Sequence, residues 1–304
     1  LPGKYLAMVH VIDLEFSNVP NSIASFLVDS EGGPILIETG PYSRFEKLEA
    51  GIRKCGYELD DIKHVFLTHI HLDHAGAAWA FAERGATIYL HPFGQRHIQN
   101  PERLISSARR IYLDQMETLW GIMKPIAEDR IRVVGHGEDI QIGDLHIKGW
   151  HTPGHAVHHI AWQIGNEVFT GDVAGVRIGD GIPVPPCPPP DINIEDWQQS
   201  ISLLHSLKPK ALYLTHFGKV LRTGAHLNEL EKRILNWANW MRPFAEKQMK
   251  IEDIIPQFQE FVNKDLADGG VSPEGLLTYE AVSPSWMSVA GLFRYWQKKL
   301  EPAH

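Results

Sequence analysis

Four side chains able to bind a metal ion fall within six positions in the run Thr68-His69-Ile70-His71-Leu72-Asp73-His74-Ala75-Gly76. Along an extended chain, side chains two apart point the same way, so His69 and His71 can grip one cation together. The chain must then turn into the Ala-rich segment that follows. Asp73 and His74, adjacent on that turn, can project toward a second cation, and a carboxylate there also sits near the positive end of the helix dipole. One histidine in a polar loop would signify little, because imidazole has many structural uses. The whole cluster predicts a metal centre.

Three further fragments add donors, each at a strand end or on a loop just after one. Trp150-His151-Thr152-Pro153-Gly154-His155 carries His155 on a tight turn, with His159 beyond it. Val168-Phe169-Thr170-Gly171-Asp172 puts a carboxylate after a strand and a glycine that lets the backbone approach an ion. Leu212-Tyr213-Leu214-Thr215-His216-Phe217-Gly218 brings one more imidazole. Alone, each fragment is an ordinary turn. Together they give five histidines and two aspartates at one edge of a layered sheet, the makeup expected for a pair of divalent ions.

The elements that must position these residues follow from the apolar pattern. Strands are expected over Leu6 to Leu14, Ile23 to Val28, Ile35 to Ile37 and His64 to Thr68, with a helix at about Arg44 to Lys54. Ala75 to Arg84 reads as helix and Thr87 to Leu90 as strand, the rhythm of an α/β layer. From Pro101 to Glu128 the pattern becomes one long amphipathic helix. Strands resume at Ile131 to Val134, Ile140 to Ile142, Leu145 to Trp150, His159 to Ile164 and Glu167 to Thr170, a second sheet. The proline-rich stretch from Gly181 to Pro190 must be an extended loop. After a helix at Ile194 to Leu207 and a strand at Ala211 to Thr215, helices are expected at Leu227 to Met241, Ile251 to Leu266 and Trp286 to Leu300. The organisation read from this is a catalytic domain over 1–225, with a helical insertion at about 101–128, and a helical C-terminal region over 226–304. The last helix is aromatic enough to demand burial, on its own domain or across a homodimer.

Composition limits the functions available. The chain has 304 residues, 43% hydrophobic, with 37 acidic against 29 basic side chains, so it can bury a core but has no positive excess to hold nucleic acid. No apolar run approaches the length of a membrane span, so no membrane partner is expected. Two cysteines and no signal-peptide pattern point to a reducing cytoplasm. The 17 histidines are many for an ordinary chain.

The ordered motifs over roughly residues 5 to 225 resemble the metallo-β-lactamase-fold hydrolase superfamily, in a branch with a helical insertion and a helical C-terminus. The resemblance implies an α/β fold, a four-layer αββα sandwich, with two divalent metal ions, zinc foremost and iron or manganese as alternatives. By position, one ion would be held by His69, His71 and His155 and the other by Asp73, His74 and His216, with Asp172 bridging. Glu38 stands where the family usually has Asp, behind the ligands, and His159 matches another supporting position. The expected chemistry is a dinuclear metal-dependent hydrolase in which a metal-bridging hydroxide attacks the substrate, with Asp73 as the catalytic residue that orients it. No Gly-x-Ser-x-Gly elbow or phosphate loop suggests another scheme.

Absent features narrow the substrate to a small molecule. The stretch between Asp172 and His216 is too short for the extra domain of the family's nucleases. His71 stands where the oxygen-reducing diiron relatives usually have Glu. Gly175 replaces the Tyr usual in homoserine-lactone hydrolases, and Val173 to Arg177 does not reproduce the cationic stretch of hydroxyacylglutathione hydrolases. The expectation is a small ester-like substrate, thioester or lactone ahead of phosphoester. The alternative is a mononuclear iron dioxygenase of the persulfide-oxidising kind. Tyr112 and Trp120 on the insertion and Arg177 beyond the bridging Asp are candidate substrate contacts.

Overall fold

The apolar runs become the strands of two sheets, and the polar, histidine-bearing segments become the turns that leave them. The computed structural model describes residues 8–301, so the expected start of the first strand at Leu6 lies outside the described residues. Two compact units divide the chain: Leu1–His151 with His158–Gly171, and Thr152–Val157 with Asp172–His304.

In the first unit, β1 (Val9–Asp13), β2 (Ala24–Val28), β3 (Ile35–Ile37), β4 (His64–Phe66), β5 (Thr87–Leu90) and β6 (Ile131–Val133) lie side by side in chain order. The first three pair antiparallel, and β3 through β6 pair parallel. The parallel register sets Ile37 beside Phe66 and Phe66 beside Tyr89, so the carboxyl ends of β3, β4 and β5 share one edge. In such sheets that edge is where binding residues gather. The helices here are α1 (Phe45–Lys54), α2 (Leu72–Ala75), α3 (Ala78–Ala82), α4 (Gln95–Gln99), α5 (Glu102–Tyr112) and α6 (Met116–Trp120). Leu48 and Ile52 of α1 and Trp79 and Phe81 of α3 pack with Leu36, Val65 and Ile88 in one core. A meander of β7 (Asp139–Ile142), β8 (Leu145–His151), β9 (Ile160–Ile164) and β10 (Glu167–Phe169) belongs to the second sheet.

The insertion is not one helix. Leu113 takes φ 48 and ψ −120, which ends α5, and Gly121 at φ 69 ends α6. A Cβ at Gly121 would meet the Ser43 nitrogen at 2.8 Å, so only glycine lets the chain pass there. The helical period nonetheless does its work: Ala108, Met116 and Trp120 bury against Leu72 of α2, with Tyr112 packed on the same cluster. The insertion therefore backs the segment that carries Asp73 and His74.

The second unit holds α7 (Ile194–Ser206), the hairpin of β11 (Ala211–Leu214) and β12 (Gly218–Val220), and four helices: α8 (Thr223–Glu246), α9 (Ile251–Asp268), α10 (Pro273–Val282) and α11 (Ser285–Leu300). Two aromatic residues of α11 are engaged within this unit: the Trp296 indole donates to the Ala238 carbonyl at 2.6 Å and the Tyr295 hydroxyl to the Glu195 carboxylate at 3.1 Å. α10 escapes a reading based on periodicity because it has no apolar stripe, but Ser272 caps it and Pro273 occupies its first turn. Among the described residues, no helix is long and apolar enough to cross a membrane.

Candidate metal centre

In the first unit, β4 runs into an extended segment that delivers His69 and His71. His69 is fully buried, and its Nε2 lies 2.9 Å from His71 Nδ1. Two imidazole nitrogens that close either share a proton or converge on one cation. The Thr68 hydroxyl, 3.1 Å from His69 Nδ1, occupies the other side of the ring. Past the turn, His74 is also fully buried, with its ring centroid 3.9 Å from that of His69. Its Nε2 lies 3.6 Å from Asp73 Oδ2, and its Nδ1 lies 3.3 Å from Glu38 Oε2.

Glu38 connects these parts. It follows β3 with φ 65, a backbone usually left to glycine, and its amide donates to the Phe66 carbonyl at 3.0 Å. One carboxylate oxygen accepts from the Thr68 amide at 3.1 Å while the other faces His74. A partner on one ring nitrogen leaves the opposite nitrogen for a cation, the arrangement common in metal sites. Thr39 adds a second hold, since its amide and hydroxyl both donate to the His74 carbonyl at 2.9 Å.

His159 is fully buried, with its ring 5.0 Å from that of His69 and nearly parallel to it. His158, which no motif singled out, is also buried, 6.1 Å from the His69 ring and 5.7 Å from the His71 ring. The doubled histidine before β9 was the available signal. Tyr112 lies edge-on to Trp120 at 5.0 Å, and Trp120 stacks on Phe16 at 5.1 Å. Trp120 is thus a core residue backing Tyr112. Burial, reinforced by the charge of Asp73, pushes the Tyr112 phenol well above its usual range.

In the second unit, the loop carrying His155 sits on α7. Gly154 has φ 130, and a Cβ there would meet the Trp197 backbone at 2.4 Å. The Ser200 hydroxyl donates to the Pro153 carbonyl at 2.6 Å, and the Asn193 amide donates to that of Gly154 at 2.9 Å. His155 Nδ1 pairs with the Pro186 carbonyl at 2.9 Å, which turns Nε2 toward Asp172 Oδ2, 3.4 Å away. The other Asp172 oxygen lies 3.5 Å from His216 Nε2. One carboxylate thus gives an oxygen to each of two imidazoles.

The turn after Asp172 is tied down by residues that no motif announces. The Trp197 indole donates to the Val173 carbonyl and His226 Nε2 to the Ala174 carbonyl, each at 2.8 Å. Burial lowers His226 to a pKa of about 4, so it is a neutral donor here. Arg177 is engaged locally: its Nε donates to the Gly181 carbonyl at 2.8 Å and its amide to that of His216 at 2.6 Å.

Both donor sets suit divalent ions. Two donors each about 2.0–2.1 Å from a tetrahedral ion stand about 3.4 Å apart. The pairs His155–Asp172 at 3.4 Å, His216–Asp172 at 3.5 Å and Asp73–His74 at 3.6 Å lie close to that spacing. Within the first unit, His69 also offers one ligand atom within 4.8 Å of a ligand atom of His71 and of His74.

The sequence pattern of the metallo-beta-lactamase superfamily matches residues 19–216. The metallo-beta-lactamase fold-containing protein ST1585 of Sulfurisphaera tokodaii is 29% identical over 166 residues, which cover 53% of this chain and 63% of that protein. A hydroxyacylglutathione hydrolase-like protein of Bos taurus is 36% identical over 66 residues, 20% of this chain and 34% of the bovine one. The chain thus spans less than two thirds of either relative's length. The crystal structure of ST1585 superposes with a TM-score of 0.63 at 24% identity, covering 76% of this chain and 87% of that one. That of the metallo-beta-lactamase family protein TTHA1429 from Thermus thermophilus gives 0.67 at 18% identity, covering 98% and 94%. Likeness at these identities shows the shared fold. With the family pattern running through every proposed ligand, on a mixed α/β fold of two sheets with a helical C-terminal region, the chain belongs to the metallo-β-lactamase superfamily.

Proposed function

We propose that the chain is a dinuclear metal-dependent hydrolase of a small ester-like substrate, a thioester or lactone ahead of a phosphoester. The observation that carries this reading is Asp172, buried, with its two oxygens facing two different imidazole Nε2 atoms. A carboxylate so placed is suited to bridge two ions. In this proposal His69, His71 and His155 hold one ion and Asp73, His74 and His216 the other. The donor set of imidazoles and carboxylates suits zinc first, with iron or manganese next.

A bound pair of divalent ions supplies Lewis acidity and lowers the pKa of water into the neutral range. The chain's own residues do the rest. Glu38 fixes the ring of His74, and Pro186 that of His155, so that each presents Nε2. The Asp73 side chain is 24% exposed, open enough to orient an incoming water and accept its proton. The Tyr112 phenol stays protonated at neutral pH and can donate to a substrate oxygen. Members of the superfamily are mostly metal-dependent hydrolases, and the bovine relative is named hydroxyacylglutathione hydrolase-like, in keeping with an acyl thioester among the candidates. Cys55 and Cys187 are both free thiols, in keeping with a reducing cytoplasm.

The test is turnover. Zinc-loaded protein is expected to hydrolyse at least one member of a panel of acyl thioesters, lactones and phosphoesters, and a chelator should abolish it. Oxygen consumption with a persulfide by iron-loaded protein, with no hydrolysis by the zinc form, would overturn the reading in favour of the dioxygenase.

A further inference from the structure

The proline-rich segment between Gly181 and Pro190 cannot secure itself. Proline has no backbone N–H to give, and the segment's ladder pairing among the described residues is the single bridge between Val176 and Val184. It must be held from outside. Beside the Arg177 bond to the Gly181 carbonyl, three contacts from the C-terminal helices, all within the second unit, hold it. The Tyr279 hydroxyl on α10 donates to the Ile182 carbonyl at 2.7 Å and accepts from the Ile178 amide at 3.1 Å. Lys298 on α11 donates to the Pro190 carbonyl at 3.0 Å. Between these, Gly291 of α11 lies against the Cys187 carbonyl so closely that a Cβ would stand 2.0 Å from its oxygen.

The middle of the clamped segment is the part that touches the candidate metal centre. Pro186, whose carbonyl pairs with His155 Nδ1 at 2.9 Å, immediately precedes Cys187. Glycine in mid-helix weakens a helix, and nothing in the α11 backbone requires it at this position. The close approach to Cys187 does.

We infer that the C-terminal helices α10 and α11 position the metal ligand His155: by seating Gly291 on Cys187 they hold the Pro186 carbonyl where it fixes the His155 ring, with the proton on Nδ1 and Nε2 open to a cation. This rests on the proposed role of His155 as a ligand. Gly291 is a positioning residue here, acting through two neighbouring peptides, and the helical C-terminus becomes part of the metal centre's support.

The substitution Gly291→Ala separates this role from simple helix stability, because alanine favours the helix while its methyl group forces the Cys187 peptide away. In the full chain, zinc affinity measured by competition with a chromophoric chelator should fall about 10–100-fold for one ion, the usual cost of losing a ligand's supporting partner. The cobalt-substituted protein should show an altered visible spectrum. Arg294→Ala, at an exposed position on the same helix, should change neither. Tyr279→Phe should act in the same direction, more weakly. A folded Gly291→Ala protein with parental zinc affinity and cobalt spectrum would overturn the inference. If that variant does not fold, an unchanged cobalt spectrum in Tyr279→Phe would overturn it instead. Nitrogen NMR of the imidazoles separates the two proposals. A parent that binds no zinc refutes the metal reading, while loss of the Nδ1–H form of His155 in Gly291→Ala still supports the clamp and its persistence overturns it.

Discussion

The two donor sets are built in opposite ways. In the first unit, His69, His71, Asp73 and His74 come from one short run, and the supports are near neighbours at parallel strand ends, Glu38 after β3 and Thr68 after β4. In the second, His155, Asp172 and His216 come from three separate segments, and the first two are held by distant elements: α7 through Trp197 and Ser200, α8 through His226, and the proline-rich segment through Pro186. A local set can be read from spacing, whereas a dispersed set depends on what packs behind it. Damage to the first should therefore act at the ligands, and damage to the second can come from far along the chain.

The largest expected effect lies in the local set. His74→Ala removes a donor and leaves the buried Glu38 carboxylate without the imidazole it faces, so metal affinity should fall by more than about 100-fold, beyond the cost of losing a supporting partner alone. A chelator titration reads this directly, and a loss under tenfold would break the comparison. Glu38→Gln keeps the size and removes the charge, and should weaken binding about 10–100-fold with little change in fold, read by the same titration together with circular dichroism.

Perturbing the supports of the dispersed set gives smaller effects, visible first in stability. Folded His226 has a pKa of about 4 because it is buried, against about 6.5 in the unfolded chain, so the unfolded state takes up the proton first. Stability should fall as pH drops through 6.5 and go on falling until about 4, by about 2 kcal/mol between pH 7 and 5 from this group. Urea unfolding across that range should show a shallower slope in His226→Gln, and an identical slope would remove His226 from the account. Trp197→Phe, which loses the indole bond to Val173, should cost about 1 kcal/mol and a few-fold in metal affinity. A stability loss with unchanged affinity would mean that the turn after Asp172 is held by other contacts.

The same contrast explains how much the sequence revealed. The His69–His74 cluster was legible because extended and turn geometry is local, whereas Asp172 stood out only beside the other fragments, since a glycine and a carboxylate after a strand are alone an ordinary turn. The broken insertion was not legible, because apolar periodicity carries no sign of the backbone reversal at the exposed Leu113, and the passage of Gly121 beside Ser43 is set by tertiary contact. Trp120 was a candidate substrate contact although an aromatic on a helix is more often core, and its stacking on Phe16 shows the core surroundings. Trp197, His226 and Gly291 carry no motif. Their importance comes from the carbonyls they meet, and which carbonyl meets which side chain is fixed only by the fold.

The most direct test of the central claim is elemental analysis of metal per chain in the parent and in Asp172→Asn. Two divalent ions per parent chain, mostly zinc, falling to one or none in the variant, is the predicted result. A single iron per chain, unchanged by the substitution, or no bound metal after reconstitution, would contradict it.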